Sequence, residues 1–594
     1  MNLISDLRKK MQSMQIDALI IPSNDPHFSE YPADHWKLRK MISGFDGSAG
    51  ILVVTGDKAV LRVDSRYYIQ AEIQLKGSGV EVKKQLVGGG EQIDPDWFKE
   101  NLAENSVIGL DSRLFTPHRY NLLKKTVANC KLIDTNDSGI DIWPQRPALP
   151  DAPAFLLPDS VTGKSRRDKI DELVRKTGSE GSLYPVGALD EIAWLLNMRG
   201  SDVKYNPVVI SWLIIDYPEV RLFIDPNKLN PADKASLESD NVVIYDYHDY
   251  YDFLKTASPG RSVIIDSGKI NMFSYKLLSE SGAIIVEEED KSGTIASMKA
   301  VKNQTEADGF RQCMIDDGTA MVRFIKWLCE NAETGKITEI GASDKLDMLR
   351  ASSRNFKGLS FKTISAFGAH GAMPHYSATE ETDTVLSADS FFLIDSGGQY
   401  LTGTTDITRT FRLGEPTPEE KIDYTLVLKG MLNLSAAKFP SGTRGSQIDI
   451  LARRHLWKHG KNYLHGTGHG VGHFLNVHEG PQSIRMEENP VTLKPGMVVS
   501  DEPAVYLEGK YGIRIENMMI CVDESAGEFG QFLSFETLTL CPIETKALDM
   551  SLMTDEEIDC LNDYHKTVFD KLSPYLNVEE KKFLEKLTLP LKRT

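Results

Sequence analysis

FFLIDSGGQYLTGTTDITRTF, Phe391 to Phe411, contains two runs rich in apolar and β-branched residues, with Asp395 ending the first and Asp406 opening the second. Short runs of this kind bounded by glycine read as strands. Gly397, Gly398 and Gly403 suit a hairpin between them, so the spacing predicts that the two carboxylates come together. The plainer reading is that Asp395 caps a turn. Carboxylates set into apolar strands are unfavourable unless something neutralises them, and this sends the search outward for partners.

Three further segments carry such residues. LKPGMVVSDEPAVY has a Pro-Gly turn, an apolar strand, and then Asp501-Glu502-Pro503, where Asp501 reads as a turn residue. YGIRIENMMICV puts Glu516 inside a strand that is otherwise apolar around it. Arg514, two residues earlier on the same face, is its candidate partner, and a structural ion pair is the competing reading. HGTGHGVGHFLNVHEGP, His465 to Pro481, adds four histidines. His465, His469 and His473 share one face if the segment is helical, as in helical zinc boxes. The glycines between them each disfavour a helix by about 1 kcal/mol relative to alanine, so an extended or turning backbone that admits close approach is the better reading. Three histidines on one ion would leave the carboxylates unused. Two divalent ions about 3.5–4 Å apart use them, because such pairs take bridging and terminal carboxylates.

The whole chain sets the context. At 594 residues it exceeds a single core and predicts several domains. Its net charge of −17 argues against nucleic acid or anionic membrane as main partner. Six scattered cysteines without a CxxC pair point to a reduced intracellular protein. The N-terminus has no signal-peptide core, and Leu3, Leu7, Met11 and Met14 form an amphipathic stripe instead, so the expected location is the cytoplasm. VIGLDSRLFTPHRYNLLKK from Val107 resembles VIIDSGKINMFSYKLLSE from Val263, and VLRVD ending at Asp64 parallels RLFID ending at Asp225. The first half therefore reads as two related α/β domains, 1–152 and 153–296, around the proline-rich linker WPQRPALPDAP. A third region, 297–594, opens with a helix from about Ser297 past Trp327 and holds eight of the 13 histidines between His370 and His478. Chemistry is expected there.

Taken in order, DSGGQYLTGTTDITRT, HGTGHGVG with VHEGP, SDEP and GIRIEN resemble the pita-bread metallopeptidases, which include methionine aminopeptidase, prolidase and aminopeptidase P. The resemblance is closest to the long three-domain cytosolic aminopeptidase P group, and extends from SGFDGSAG and DSRYYIQAE to PIETKALD and LNDYH. It implies an α/β fold with two related N-terminal domains and a C-terminal pita-bread catalytic domain. It further implies that Asp395, Asp406, His469, Glu502 and Glu516 hold two metal ions, usually manganese, with zinc or cobalt able to substitute. Asp395 would serve one ion, His469 and Glu502 the other, and Asp406 and Glu516 both. His375 in GAMPHYSA, His465 and His478 match substrate and transition-state histidines. Arg66 in DSRYY resembles a substrate-contacting arginine, against the reading of a surface ion pair. His473 is left to packing, and His370 has no family role.

The activity implied is hydrolysis of the N-terminal Xaa-Pro bond of peptides by a hydroxide activated between two metal ions. Glu502 would shuttle the proton to the leaving nitrogen, and His478 or His375 would donate to the developing oxyanion. A homodimer acting on peptides with proline second is the family's pattern. The alternatives are a prolidase-type Xaa-Pro dipeptidase and a non-catalytic peptide-binding module of the same fold.

Overall fold

Ala18–Ile21 (β1) is apolar and buried at all four positions, as expected of a strand covered on both faces. Around it Ile51–Thr55 (β2), Ala59–Val63 (β3), Glu81–Lys84 (β4), Val107–Leu110 (β5) and Lys131–Asp134 (β6) form a six-stranded sheet in the order β4-β3-β2-β1-β5-β6. The β1–β2 and β2–β3 pairs are antiparallel and the other three parallel. The computed structural model describes residues 3–85, 95–136 and 142–592. They divide into two compact units, Met1–Asp159 with Lys164–Ile295, and Ser160–Gly163 with Ala296–Thr594.

The first unit contains this topology twice. Tyr184–Val186 (β7), Trp212–Asp216 (β8), Glu219–Phe223 (β9), Val242–Tyr245 (β10), Ser262–Ile265 (β11) and Ile284–Glu287 (β12) run in the order β10-β9-β8-β7 and β11-β12. A parallel bridge, Leu183 to Val263, joins the two parts. Strand directions repeat as well: β7–β8 and β8–β9 antiparallel, β9–β10 and β11–β12 parallel. The aspartates that end the repeated runs share a job. Asp64, Asp111, Asp225 and Asp266 each accept a backbone N–H two residues on, from Arg66, Arg113, Asn227 and Gly268. They are turn caps. The two domains are locked together within the unit. Met272 N donates to Phe115 O at 2.7 Å, and buried His27 reaches Gly187 O at 2.8 Å and Tyr247 Oη at 3.0 Å.

In the second unit the expected single opening helix is two. Thr294–Ala300 stops, Val301 bridges Met497, and Gln304–Asn331 starts afresh. The cause is Asn303, whose side chain accepts from Glu306 N while Glu306 reaches back, a capping box that fixes a new N-terminus. That helix buries Phe310, Met314 and Val322 against Val498, Met518, Ile520 and Val568.

The predicted hairpin is a nested one. Phe391–Ser396 (β15) pairs antiparallel with Ile407–Arg412 (β18), and Ile364–Phe367 (β14) flanks β15. Between them Gly398–Tyr400 (β16) and Gly403–Thr404 (β17) turn away and pair with each other, and β16 pairs on its other side with Phe356–Leu359 (β13), in a separate sheet. A larger sheet is built from Phe439–Pro440 (β19), Gly468–Gly470 (β20), Glu479–Ile484 (β21), Val498–Asp501 (β22), Asn517–Gly527 (β25) and Gly530–Thr537 (β26), in the order β19-β26-β25-β22-β20-β21. Ala504–Leu507 (β23) and Tyr511–Arg514 (β24) form a two-stranded ribbon beside it.

Candidate metal centre

β15 and β18 set Asp395 opposite Thr408, with Asp406 on the approach to β18. β22 delivers Glu502 one residue past its end, and β20 carries His469 at its centre. Glu516 does not lie within a strand, as the sequence suggested. It occupies the joint between β24 and β25, where the chain leaves one sheet for another. Its backbone N–H donates to Thr408 O at 3.1 Å and its carboxylate accepts from Thr408 Oγ1 at 2.7 Å.

The five residues converge. One ligand atom from each of Asp395, Asp406 and Glu516 lies within 4.8 Å of the others, and so do atoms of His469, Glu502 and Glu516. A third such group joins Asp406 and His469 to His478. His469 Nε2 is 3.4 Å from Asp406 and 3.6 Å from Glu502. Its Nδ1 is 2.9 Å from Gly470 O, so that nitrogen holds the proton and Nε2 is left to bind a cation.

Four carboxylates sit here with two cationic side chains, Arg514 and His469. Burial raises Asp395 to about 6 against the pull of Arg514, and raises Glu502 to about 7 against that of His469. Glu516 stands well above the usual carboxylate range because it is buried beside Asp406, Glu502 and Asp395. Burial lowers His469, but Asp406 and Glu502 outweigh it and bring the imidazole to about 9. Asp395 Oδ1 is buried without a hydrogen-bond donor. A cluster this rich in negative charge fits a pair of divalent cations.

Arg514 reverses its predicted partner. Its Nη2 is 2.5 Å from Asp395 Oδ2, while Nε donates to Thr408 Oγ1 at 3.0 Å. The break after β24 is the reason, since Glu516 no longer continues the strand's alternation. The same guanidinium donates to Tyr506 Oη at 2.5 Å and to Pro374 O at 3.4 Å. Tyr506 in turn lies 2.9 Å from His465 Nε2, and His465 Nδ1 is 3.7 Å from Glu502. Sequence reasoning missed Tyr506, Thr408 and Ser500, which accepts the His469 backbone N–H at 3.0 Å. An aromatic or hydroxyl residue in a strand carries no signal of its own.

His478 packs edge-on against His469, with ring centroids 4.4 Å apart. His375 follows Pro374, whose carbonyl Arg514 holds. Asp501 is no turn residue but the fully buried end of β22. His473 is buried against Phe310, away from solvent. Arg66 belongs to the first unit, where it forks Asp64 at 2.8–2.9 Å with Glu30 at 3.8 Å. The glycines of HGTGHG serve neighbouring strands: a Cβ on Gly468 would overlap Ser500 O and one on Gly470 would overlap Glu479 O.

Comparison with known proteins assigns this arrangement to a class. Residues 308–523 match metallopeptidase family M24 and 531–591 the C-terminal region of that peptidase. Residues 4–140 and 145–306 each match a creatinase/prolidase N-terminal domain. The protein is therefore a pita-bread metallopeptidase preceded by two related α/β domains. Within that class, the chain belongs to the Xaa-Pro aminopeptidase P family. It is 40% identical to a probable Xaa-Pro aminopeptidase P of Coprinopsis cinerea, covering 99% of this chain and 98% of that protein. It is 38% identical to Xaa-Pro aminopeptidase 1 of Dictyostelium discoideum, covering 96% and 93%. The crystal structure of the X-prolyl aminopeptidase of Caenorhabditis elegans, a cytosolic enzyme with a di-nuclear active site, superposes with a TM-score of 0.93 at 35% identity over 99% of this chain and 100% of that one.

Proposed function

We propose that the protein removes the N-terminal residue from peptides whose second residue is proline. The observation that carries this is the convergence of Asp395, Asp406, His469, Glu502 and Glu516 in a chain that matches Xaa-Pro aminopeptidases from end to end. These five would hold two divalent ions, for which manganese is our assignment. When bound, such ions supply Lewis-acid activation of water and of the scissile carbonyl.

The chain's own groups do the rest. Glu502 takes the proton of the attacking water and returns it to the leaving nitrogen. That nitrogen belongs to proline and has no N–H in the peptide, so it requires protonation rather than recognition as a donor. His478, beside His469, or His375, on the loop fixed by Arg514, donates to the carbonyl oxygen as it gains charge. His465 lines the substrate, oriented by Tyr506. Arg66 keeps its proposed role as a substrate-contacting arginine. The working form is a homodimer in the cytoplasm.

The test is mass spectrometry of Xaa-Pro-Yaa peptides and Xaa-Pro dipeptides, with the metal-free protein reloaded with manganese, zinc or cobalt. Release of the first residue from the longer peptides is expected, with two ions per chain by metal analysis. Cleavage of dipeptides alone would make the protein a prolidase, and fewer than two ions would remove the proposed mechanism. Sedimentation at twice 66.3 kDa is the expected mass.

A further inference from the structure

The carboxylate of Glu339 is fully buried and remote in sequence from every residue of the metal centre. It is the first residue of the helix Glu339–Ala351, and it collects donors from both sides of His375. From the upstream side come Phe367 N at 2.6 Å and His370 Nδ1 at 2.9 and 3.1 Å. From the downstream side come Tyr376 Oη at 2.9 Å and Thr384 N at 3.3 Å. His370 and Tyr376 also stack, with centroids 4.5 Å apart and planes 23° apart. The segment 367–384 is thus gathered around one acceptor, and His375 lies in the stretch between its two side-chain braces, one residue before Tyr376. The helix N-terminus at Glu339 adds a favourable field for the negative charge.

We propose that Glu339 is a positioning residue for His375, with His370 and Tyr376 as the braces that transmit its hold. A histidine that stabilises charge on the substrate must be kept within about 0.5 Å of its productive place, and a loop without regular structure gives no such precision by itself. One buried carboxylate with five contacts does. This gives His370, which the family pattern leaves idle, a role through its Nδ1 proton. The inference rests on His375 contacting the substrate.

The experiment is a double-mutant cycle on the metal-loaded enzyme with an Xaa-Pro-Yaa peptide, combining Glu339→Gln and His375→Ala. An amide in place of the carboxylate turns one acceptor into a donor facing donors. Glu339→Gln is expected to lower kcat about tenfold with KM little changed, two ions still bound and the circular dichroism spectrum unaltered. Added to His375→Ala it should slow the enzyme by less than about twofold further, since the group being positioned is gone. Equal losses in both backgrounds, or a wild-type kcat in Glu339→Gln, would overturn the proposal. His375→Ala at wild-type rate would instead remove the substrate role of His375 itself, and this inference with it. Should Glu339→Gln fail to fold, Tyr376→Phe and His370→Leu run the same cycle. Each removes one donor and is expected to lower kcat about threefold in the wild-type background only.

Discussion

Glu502 and Asp395 are raised in the protein to about 7 and about 6, against about 4 in an unfolded chain. A carboxyl raised on folding stabilises the fold while protonated, fully below about pH 4, and that contribution is lost as the pH rises through the folded value. Metal-free protein is therefore expected to melt at a lower temperature at pH 8 than at pH 5.5. In metal-loaded protein that difference should vanish, since the cations then neutralise the carboxylates; parallel thermal melts with and without chelator check this. Glu502→Gln keeps the shape but removes the proton carrier and one anionic ligand, so turnover should fall about a thousandfold or more with the circular dichroism spectrum of the fold retained. At this scale the convergence of the five candidates was implied by the family resemblance, and Glu516 alone stood out as a charge among apolar neighbours. The pairing of Arg514 with Asp395 was not legible. It depends on where a strand ends, and GIRIEN reads as one strand in the absence of the neighbouring sheet.

Strands and turns position these groups, and two glycines mark the tightest join among them. Gly371, in the turn Gly368–Ala372, lies against Gly512 of β24 so closely that a Cβ on Gly512 would overlap Gly371 O. Gly512→Ala must push that turn, and His375 three residues beyond it, away from Arg514. A loss of about 1–3 kcal/mol in stability is expected, together with a fall in kcat, measured by denaturant melts and peptide assay. Arg409 of β18 is the corresponding polar joint. Fully buried, it donates to Glu516 O at 2.6 Å, to Cys541 O and Tyr564 Oη at 2.9 Å, and to Asn517 Oδ1 at 2.8 Å. Arg409→Met leaves several of these acceptors unpaired, and should destabilise the fold by about 3 kcal/mol or more and weaken metal retention through Glu516. The long helices and apolar strands were legible from their periods. The excursion of β16 and β17 was not, because its partner β13 lies more than thirty residues away and leaves no mark on the local pattern.

The molecule as a whole comprises two compact units, and all five metal-binding candidates belong to the second. Ligand binding stabilises only the state that holds the ligand, by about 2.7 kcal/mol at a hundred times the dissociation constant. Calorimetry is expected to resolve two transitions, with chelation lowering only one. Transitions that shift together would mean that the units unfold as one. The repeated sheet of the first unit was visible in sequence through its Asp-ended runs, since both copies need the same turn cap after the same strand. The assignment of Ser160–Gly163 to the second unit was not. Those four residues leave the first unit and come back to it. There Asn303 Nδ2 donates to Thr162 O at 2.8 Å, and a Cβ on Gly163 would run into Asn303 and Thr305. The chain therefore crosses between its halves three times rather than once. No single cut can release the peptidase half with all its parts: a fragment beginning at Ala296 leaves behind the stitch that backs Asn303, the residue that starts its longest helix. For anyone seeking to graft this catalytic half onto another protein, it is not a cassette.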